Sequence, residues 1–175
     1  DMAQAAEYFA LGDKHFALVT DLSFKDVMPY NRRVMDEWGF DDPAELYAND
    51  EWTWDIFYEM CMDFSDGDDD RYALDGWYVV NGIVEESTGI TLIARAEQML
   101  YDLTKNDCTH HEGNNYWAIR DGGTYGAGVK DGKCLFWPCD RSGFTHPVEE
   151  INQVWGDIEA GELMFAPLPR DPQGD

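Results

Sequence analysis

The sequence predicts an α/β chain in which short strands form a small sheet flanked by helices. Three observations lead there. Apolar runs at residues 15–20, 134–137 and 163–166 are too short for helices and read as buried strands. Other segments repeat their apolar residues at helical spacing and carry capping residues at their ends. The two kinds of segment alternate along the chain, the order of an α/β layer, with no internal repeat or low-complexity stretch.

Residues 2–11 are good helix formers, with Ala6, Phe9 and Ala10 able to share a face. Gly12-Asp13 reads as a turn before the strand at 15–20. A helix runs from about Asn31 to Gly39, a residue suited to a helix C-terminus. Asp42 and Glu45 have capping-box spacing, with Pro43 at the first helical position, so a second short helix begins there. The stretch from Ala48 to Ser65 organises what surrounds it. Thr53 offers a capping hydroxyl and Asp55 a negative charge in the first turn. Trp54, Phe57, Tyr58 and Cys61 then fall at i, i+3, i+4 and i+7, one buried helical face. Gly67 and a run of aspartates stop this helix. A strand from Tyr72 ends near Gly76. Leu92, Ala96, Met99, Leu100 and Leu103 predict an amphipathic helix from about Thr91 to Lys105. Residues 106–128, rich in Asn, Asp and Gly, read as loop. His146-Pro147 starts a helix that places Val148, Ile151, Trp155 and Ile158 on one face and ends at Gly161.

At 175 residues the chain is long enough for one domain with a sizeable core. Seven Trp, nine Tyr and nine Phe argue for a packed interior despite the charge. The net charge of −24 repels nucleic acid and anionic lipid, which excludes both as partners. No apolar run approaches the ~20 residues that span a bilayer.

Residues 63–70, DFSDGDDD, invite two readings. Converging carboxylates there, Asp66, Asp68 and Asp70, would hold calcium, the one candidate cation; otherwise the segment is a solvated acidic turn. Cys108, His110, His111 and Glu112 are ligand types close in sequence, but no second pair exists to complete a structural zinc site, and a surface loop is the better reading. Cys61 lies on an apolar helix face as a buried thiol. Cys134 and Cys139 could bridge only if the chain turns sharply between them. Gly-x-Ser-x-Gly, phosphate-loop and His-Glu-x-x-His motifs are absent, so nothing supports an enzyme.

Several of these residues also carry a family resemblance. Tyr30 to Arg33, Asp42 to Tyr47, Glu51 to Asp55, Asp66 to Asp68 and Tyr72 to Trp77 follow one another as in the carbohydrate-type (family 1) extracellular solute-binding proteins of bacterial ABC importers. Asp131 to Phe136 resembles that family's Gly-Lys strand start, and Phe165 to Pro169 its closing Pro-x-Pro strand. The likeness spans roughly 12–175 and is specific from 30 to 77.

The resemblance implies one lobe of a periplasmic-binding-protein type II-like fold, with 1–29 as a connector near the hinge, 22–29 its hinge-like part, and 30–175 as the lobe. Family members have two lobes, so the chain is expected to be a piece of a longer protein. It further implies a monomer outside the cytoplasmic membrane, periplasmic or lipid-anchored, that captures a sugar or oligosaccharide and hands it to a membrane permease, without chemistry and without a required cofactor. Sugars need flat aromatics beside polar side chains. Trp77 and Tyr78 with Asp75, and Trp137 with Asp140 and Arg141, supply that mixture where the family's cleft-lining loops fall. The competing reading places these tryptophans in the core. Tyr116 and Trp117 are a weaker candidate. Many relatives carry a longer Asp/Gly-rich loop at 63–70; here Asp69 replaces its second glycine. Two other readings remain: an acidic calcium-binding interaction domain, and an accessory module of a carbohydrate-active enzyme.

Overall fold

A computed structural model describes residues 27–69, 71–74, 90–109, 129–138, 144 and 147–172, together with the backbone of short strands at 10–11, 14–15, 119–120 and 124–125. Ala10–Leu11 (β1) and Lys14–His15 (β2) pair antiparallel, so the last two residues of the helix expected over 2–11 are strand; residues 2–9 lie outside the described residues. Helix propensity there is a weak prior that a neighbouring strand overrides.

Met28–Asn31 (β3) is buried at every position. Asn31 then caps Arg32–Trp38 (α1), its side-chain oxygen accepting from the Val34 N–H at 3.3 Å. Gly39 closes α1 in the left-handed conformation at φ 69°, where its N–H meets the Asp36 carbonyl. Asp42 caps Pro43–Ala48 (α2) through the Ala44 N–H at 2.8 Å, as its spacing predicts. Trp54–Phe64 (α3) buries Trp54, Phe57, Met60, Cys61 and Phe64, while Tyr58 is only half-buried. Thr53 makes no side-chain cap. The backbone after the last strand pairs with the start of the helix: the Trp54 N–H donates to the Arg170 carbonyl at 2.9 Å, and the Arg170 N–H to the Trp52 carbonyl at 3.2 Å. Residues far apart in sequence thus fix the start of α3, where Thr53 leaves its expected side-chain cap unmade.

A 3₁₀ turn, Gly67–Asp69, leads into Tyr72–Leu74 (β4). Ile90–Lys105 (α4) follows, with Ala96, Met99, Leu100 and Leu103 buried as their spacing predicts. Ile119–Arg120 (β5) and Thr124–Tyr125 (β6) form a two-residue hairpin inside the segment read as loop. Cys134–Phe136 (β7), Val148–Val154 (α5) and Leu163–Ala166 (β8) complete the order. Helix α5 stops at Val154 instead of running to Gly161, and Val148 and Ile158 are 52% and 41% exposed.

β3 and β8 pair antiparallel, and β4 and β7 pair parallel. The ladders meet where the Trp137 N–H reaches the Pro29 carbonyl at 3.4 Å. One large cluster packs Tyr30, Trp52, Phe57, Phe64, Leu74, Leu103 and Phe136 between these strands and α1, α3 and α4. A smaller one gathers Val129, Cys134, Trp137, Ile151, Val154, Trp155 and Leu163 beneath α5. Short strands flanked by helices are the α/β arrangement that the alternating sequence pattern predicts.

An ionised group helps seat α1 on α2. The Tyr30 hydroxyl donates to Asp42, and Arg32 Nε lies 3.0 Å from the other carboxylate oxygen. Burial alone would raise the Asp42 pKa. The bonds from Tyr30, the Ala44 N–H and Arg32 outweigh it and hold the carboxyl below its ordinary value. A depressed carboxyl stabilises the fold fully above the ordinary carboxylate range and loses that contribution as pH falls through its folded value. Asp42→Ala is therefore expected to cost about 1 kcal/mol near neutral pH. The gap to wild type should hold from pH 7 to the ordinary carboxylate range and narrow only as denaturation is followed below it, from about pH 4 towards pH 2. A gap that stays constant down to about pH 2 would show the carboxylate charge is irrelevant.

Candidate functional site

The parallel register of β4 and β7, Tyr72 opposite Cys134 and Leu74 opposite Phe136, ends both strands at one edge of the ladder. Thr109 joins them there: it bridges Leu74 in parallel, and the Leu74 N–H donates to the Cys108 carbonyl at 2.9 Å. Three segments of chain therefore leave from one edge, those continuing from Leu74, from Thr109 and from Phe136. In α/β layers this carboxyl edge is where ligands bind, because the connections splay apart there and open a crevice. Two of the three segments are those in which sequence reasoning placed its sugar-contacting residues. The third continues in sequence to His110, His111 and Glu112, and later to Tyr116 and Trp117; the bridge that brings its start to Leu74 spans a separation that no local sequence pattern reveals.

Asp75, Trp77, Tyr78, Asp140 and Arg141 lie outside the described residues, as do Cys139, His110 and His111. Trp137 is described and is not presented to an open crevice. It is 7% exposed, and its ring centroid lies 4.8 Å from that of Trp155, which also meets Phe144 at 5.6 Å. A large apolar ring beside the second cluster is drawn into it, so Trp137 takes the core role that stood as its alternative.

The aspartates of 63–70 face cations supplied by the chain itself. Arg71 reaches Asp66 at 3.3 Å and Asp69 at 2.6 Å, and its guanidinium lies 5.0 Å over the Trp38 ring. The Asp68 N–H donates to Asp66 Oδ1 at 3.1 Å, and Lys133 Nζ donates to the Asp69 carbonyl at 2.5 Å. Asp70 lies outside the described residues, and among those described no three His, Cys, Asp or Glu side chains converge as a metal site would need. Cys61 and Cys108 are buried thiols, both raised above the ordinary thiol range by burial first.

Among the described residues, hollows open elsewhere. One of about 410 Å³ is apolar, lined by Val27, Phe144, Ile151, Ile158, Leu163 and Phe165. Another, of about 290 Å³, lies between α3 and α4, lined by Trp54, Asp55, Tyr58, Arg95, Gln98, Met99 and Asp102.

No protein-family model matches the sequence, and no curated protein matches it. Solved structures do match its fold. The GacH receptor of Streptomyces glaucescens, determined unliganded and with acarbose, superposes with a TM-score of 0.57 at 17% identity, over 98% of this chain and 44% of its own. An ABC transporter solute-binding protein of Agrobacterium vitis with bound D-mannitol gives 0.54 at 16% identity, over 87% and 38%. The galacto-N-biose/lacto-N-biose I-binding protein of a Bifidobacterium longum ABC transporter, in complex with lacto-N-biose, gives 0.51 at 16%, over 94% and 41%. The chain thus has the fold of part of a type II periplasmic binding protein and spans well under half the length of these structures. Among the described residues no helix is long and apolar enough to cross a membrane.

Proposed function

We propose that this chain is one lobe of the sugar-capturing component of a bacterial ABC importer, acting outside the cytoplasmic membrane and delivering its ligand to a permease without chemistry. The observation that carries the reading is the shared carboxyl edge of β4 and β7. In sequence the chain continues from Leu74 into Asp75, Trp77 and Tyr78 and from Phe136 towards Asp140 and Arg141, flat aromatics among groups that hydrogen-bond hydroxyls. The likeness in fold to proteins solved with mannitol, acarbose and lacto-N-biose supports a sugar or oligosaccharide as the class of ligand. Residues 1–29 are the connector near the hinge, and 30–175 the lobe. Such proteins trap their ligand by closing two lobes about a hinge, so one lobe alone supplies half the contacts.

Calorimetric titration with a panel of mono- and oligosaccharides tests this. The 175-residue chain is expected to bind weakly, with dissociation constants of about 1 mM or more. The polypeptide in which it naturally occurs should bind one member of the panel at micromolar concentration. There Trp77→Ala should weaken binding by about tenfold, the loss of one stacking platform. Micromolar binding by the isolated chain would overturn the half-site reading. Silence of the natural polypeptide across the whole panel would overturn the sugar.

A further inference from the structure

Ile158 and Phe165 are 41% and 42% exposed, two large apolar side chains on the surface of a chain with net charge −24. Both border the apolar hollow of about 410 Å³, whose buried members are Ile151 and Leu163. Each is held in place. The turn after α5 fixes Ile158: its N–H donates to Asn152 Oδ1 at 3.2 Å, and its carbonyl accepts from the Gly161 N–H at 3.1 Å. Phe165 sits within β8 opposite Pro29, and its ring meets Phe144 edge-on at 4.8 Å. Two fixed apolar side chains flanking an apolar hollow mark a surface that another apolar group covers.

The lining and the charge decide between occupants. The lining side chains are all apolar, so a sugar would bury its hydroxyls there without hydrogen-bond partners. A second copy is opposed by charge: α5, which supplies Ile151, opens with Glu149 and Glu150, and each copy carries −24. A tethered segment of the same polypeptide escapes that penalty, because its effective concentration is high without electrostatic attraction. Chain for such a segment exists in the structures that share this fold, since this one spans only 38–44% of their length. Val27, a further wall of the hollow, belongs to the connector assigned to 1–29, the stretch that leads towards the other lobe. We propose that this hollow is the seat of the remaining polypeptide: a segment outside residues 1–175 inserts apolar side chains between Ile158 and Phe165 and packs on Ile151 and Leu163. This rests on the reading of the chain as one lobe, and not on the sugar.

Cysteine accessibility in the natural polypeptide tests the seat. Ile158→Cys, Phe165→Cys, Tyr47→Cys and Tyr101→Cys are made one at a time. Maleimide modification at each substituted position is timed by peptide mass spectrometry, so the native cysteines do not contribute. Tyr47 on α2 and Tyr101 on α4 are 58% and 61% exposed and stand outside the lining. All four are surface positions among the described residues, so the variants keep the fold, and circular dichroism checks it. Positions 158 and 165 should react at least about tenfold more slowly than 47 and 101, because reaction there waits for the covering segment to open. A rate at either hollow position that matches the tyrosine positions overturns the proposal. So does protection that grows with protein concentration, which would assign the cover to a second copy. No sugar is added. Protection in a polypeptide that binds no sugar would therefore remove the ligand and keep the seat, and sugar binding with 158 and 165 unprotected would do the reverse.

Discussion

Phe136→Ala is expected to lower stability by about 3–5 kcal/mol, the cost of removing a buried aromatic side chain. Phe136 is fully buried at the end of β7. Its ring centroid stands 5.5 Å from Phe57, 5.9 Å from Trp52 and 6.4 Å from Tyr30. Those three rings come from α3, from the segment before it and from β3, so one truncation opens a gap that none of them can close alone. Aromatic pairs contribute about 0.5–1.5 kcal/mol beyond their buried area, which places the cost towards the top of the range. Urea denaturation followed by tryptophan fluorescence reads the result. A loss below about 1 kcal/mol would mean that the rings collapse into the gap and that this cluster is not the centre of the core. Phe136→Leu, which keeps most of the apolar volume, should recover more than half of the stability.

Gly156→Ala is expected to destabilise nearly as much through the backbone. Gly156 sits at φ 126°, where L side chains are strained, and a Cβ added there would lie 2.3 Å from Asn31 Nδ2 and 3.0 Å from Glu162 Cβ. Asn31 cannot retreat cheaply. It is 1% exposed, donates to the Trp155 carbonyl at 2.8 Å and caps α1 through the Val34 N–H. Displacing it breaks a buried hydrogen bond and a helix cap while the new side chain adds its own strain. These sum to about 3 kcal/mol, or about 6–12 °C in Tm for a chain of this size. Gly39→Ala makes the comparison. It shares a positive φ, 69°, but no atom lies within 4 Å of the added Cβ, so only the conformational cost of about 1 kcal/mol applies. Equal effects of the two substitutions would show that the contact with Asn31 is unimportant.

Gly156 also explains why α5 is shorter than its pattern. The spacing of Val148, Ile151, Trp155 and Ile158 continues past the point where the chain turns at Gly156 to let Trp155 accept from Asn31. Helical periodicity is a statement about one segment. The turn is imposed by a residue more than a hundred positions earlier. The start of α3 repeats the lesson: Thr53 makes no side-chain cap, and the Trp54 N–H finds the Arg170 carbonyl, more than a hundred positions away. Trp137 is the same case in the candidate site: an aromatic beside a strand end suits a ligand and a core equally, and the neighbouring Trp155 decided between them.

By itself the sequence determined those features whose partners lie within one helical turn. Asn31 and Gly39 bound α1, Asp42 and Pro43 start α2, and the apolar spacing of α3 and α4 selects the faces that are buried. It also determined that Cys134–Phe136 and Leu163–Ala166 are strands, since short continuous apolar runs have few other uses. Only the tertiary structure decided which strands pair: β3 with β8, β4 with β7, and Thr109 beside Leu74. It alone placed Arg71 among the aspartates and set α3 against α4 to form the hollow between them. A cap or an amphipathic face is fixed by neighbours already tethered nearby. A strand's partner is chosen from the whole chain by what can be buried together once long loops have closed, and no local window contains that comparison.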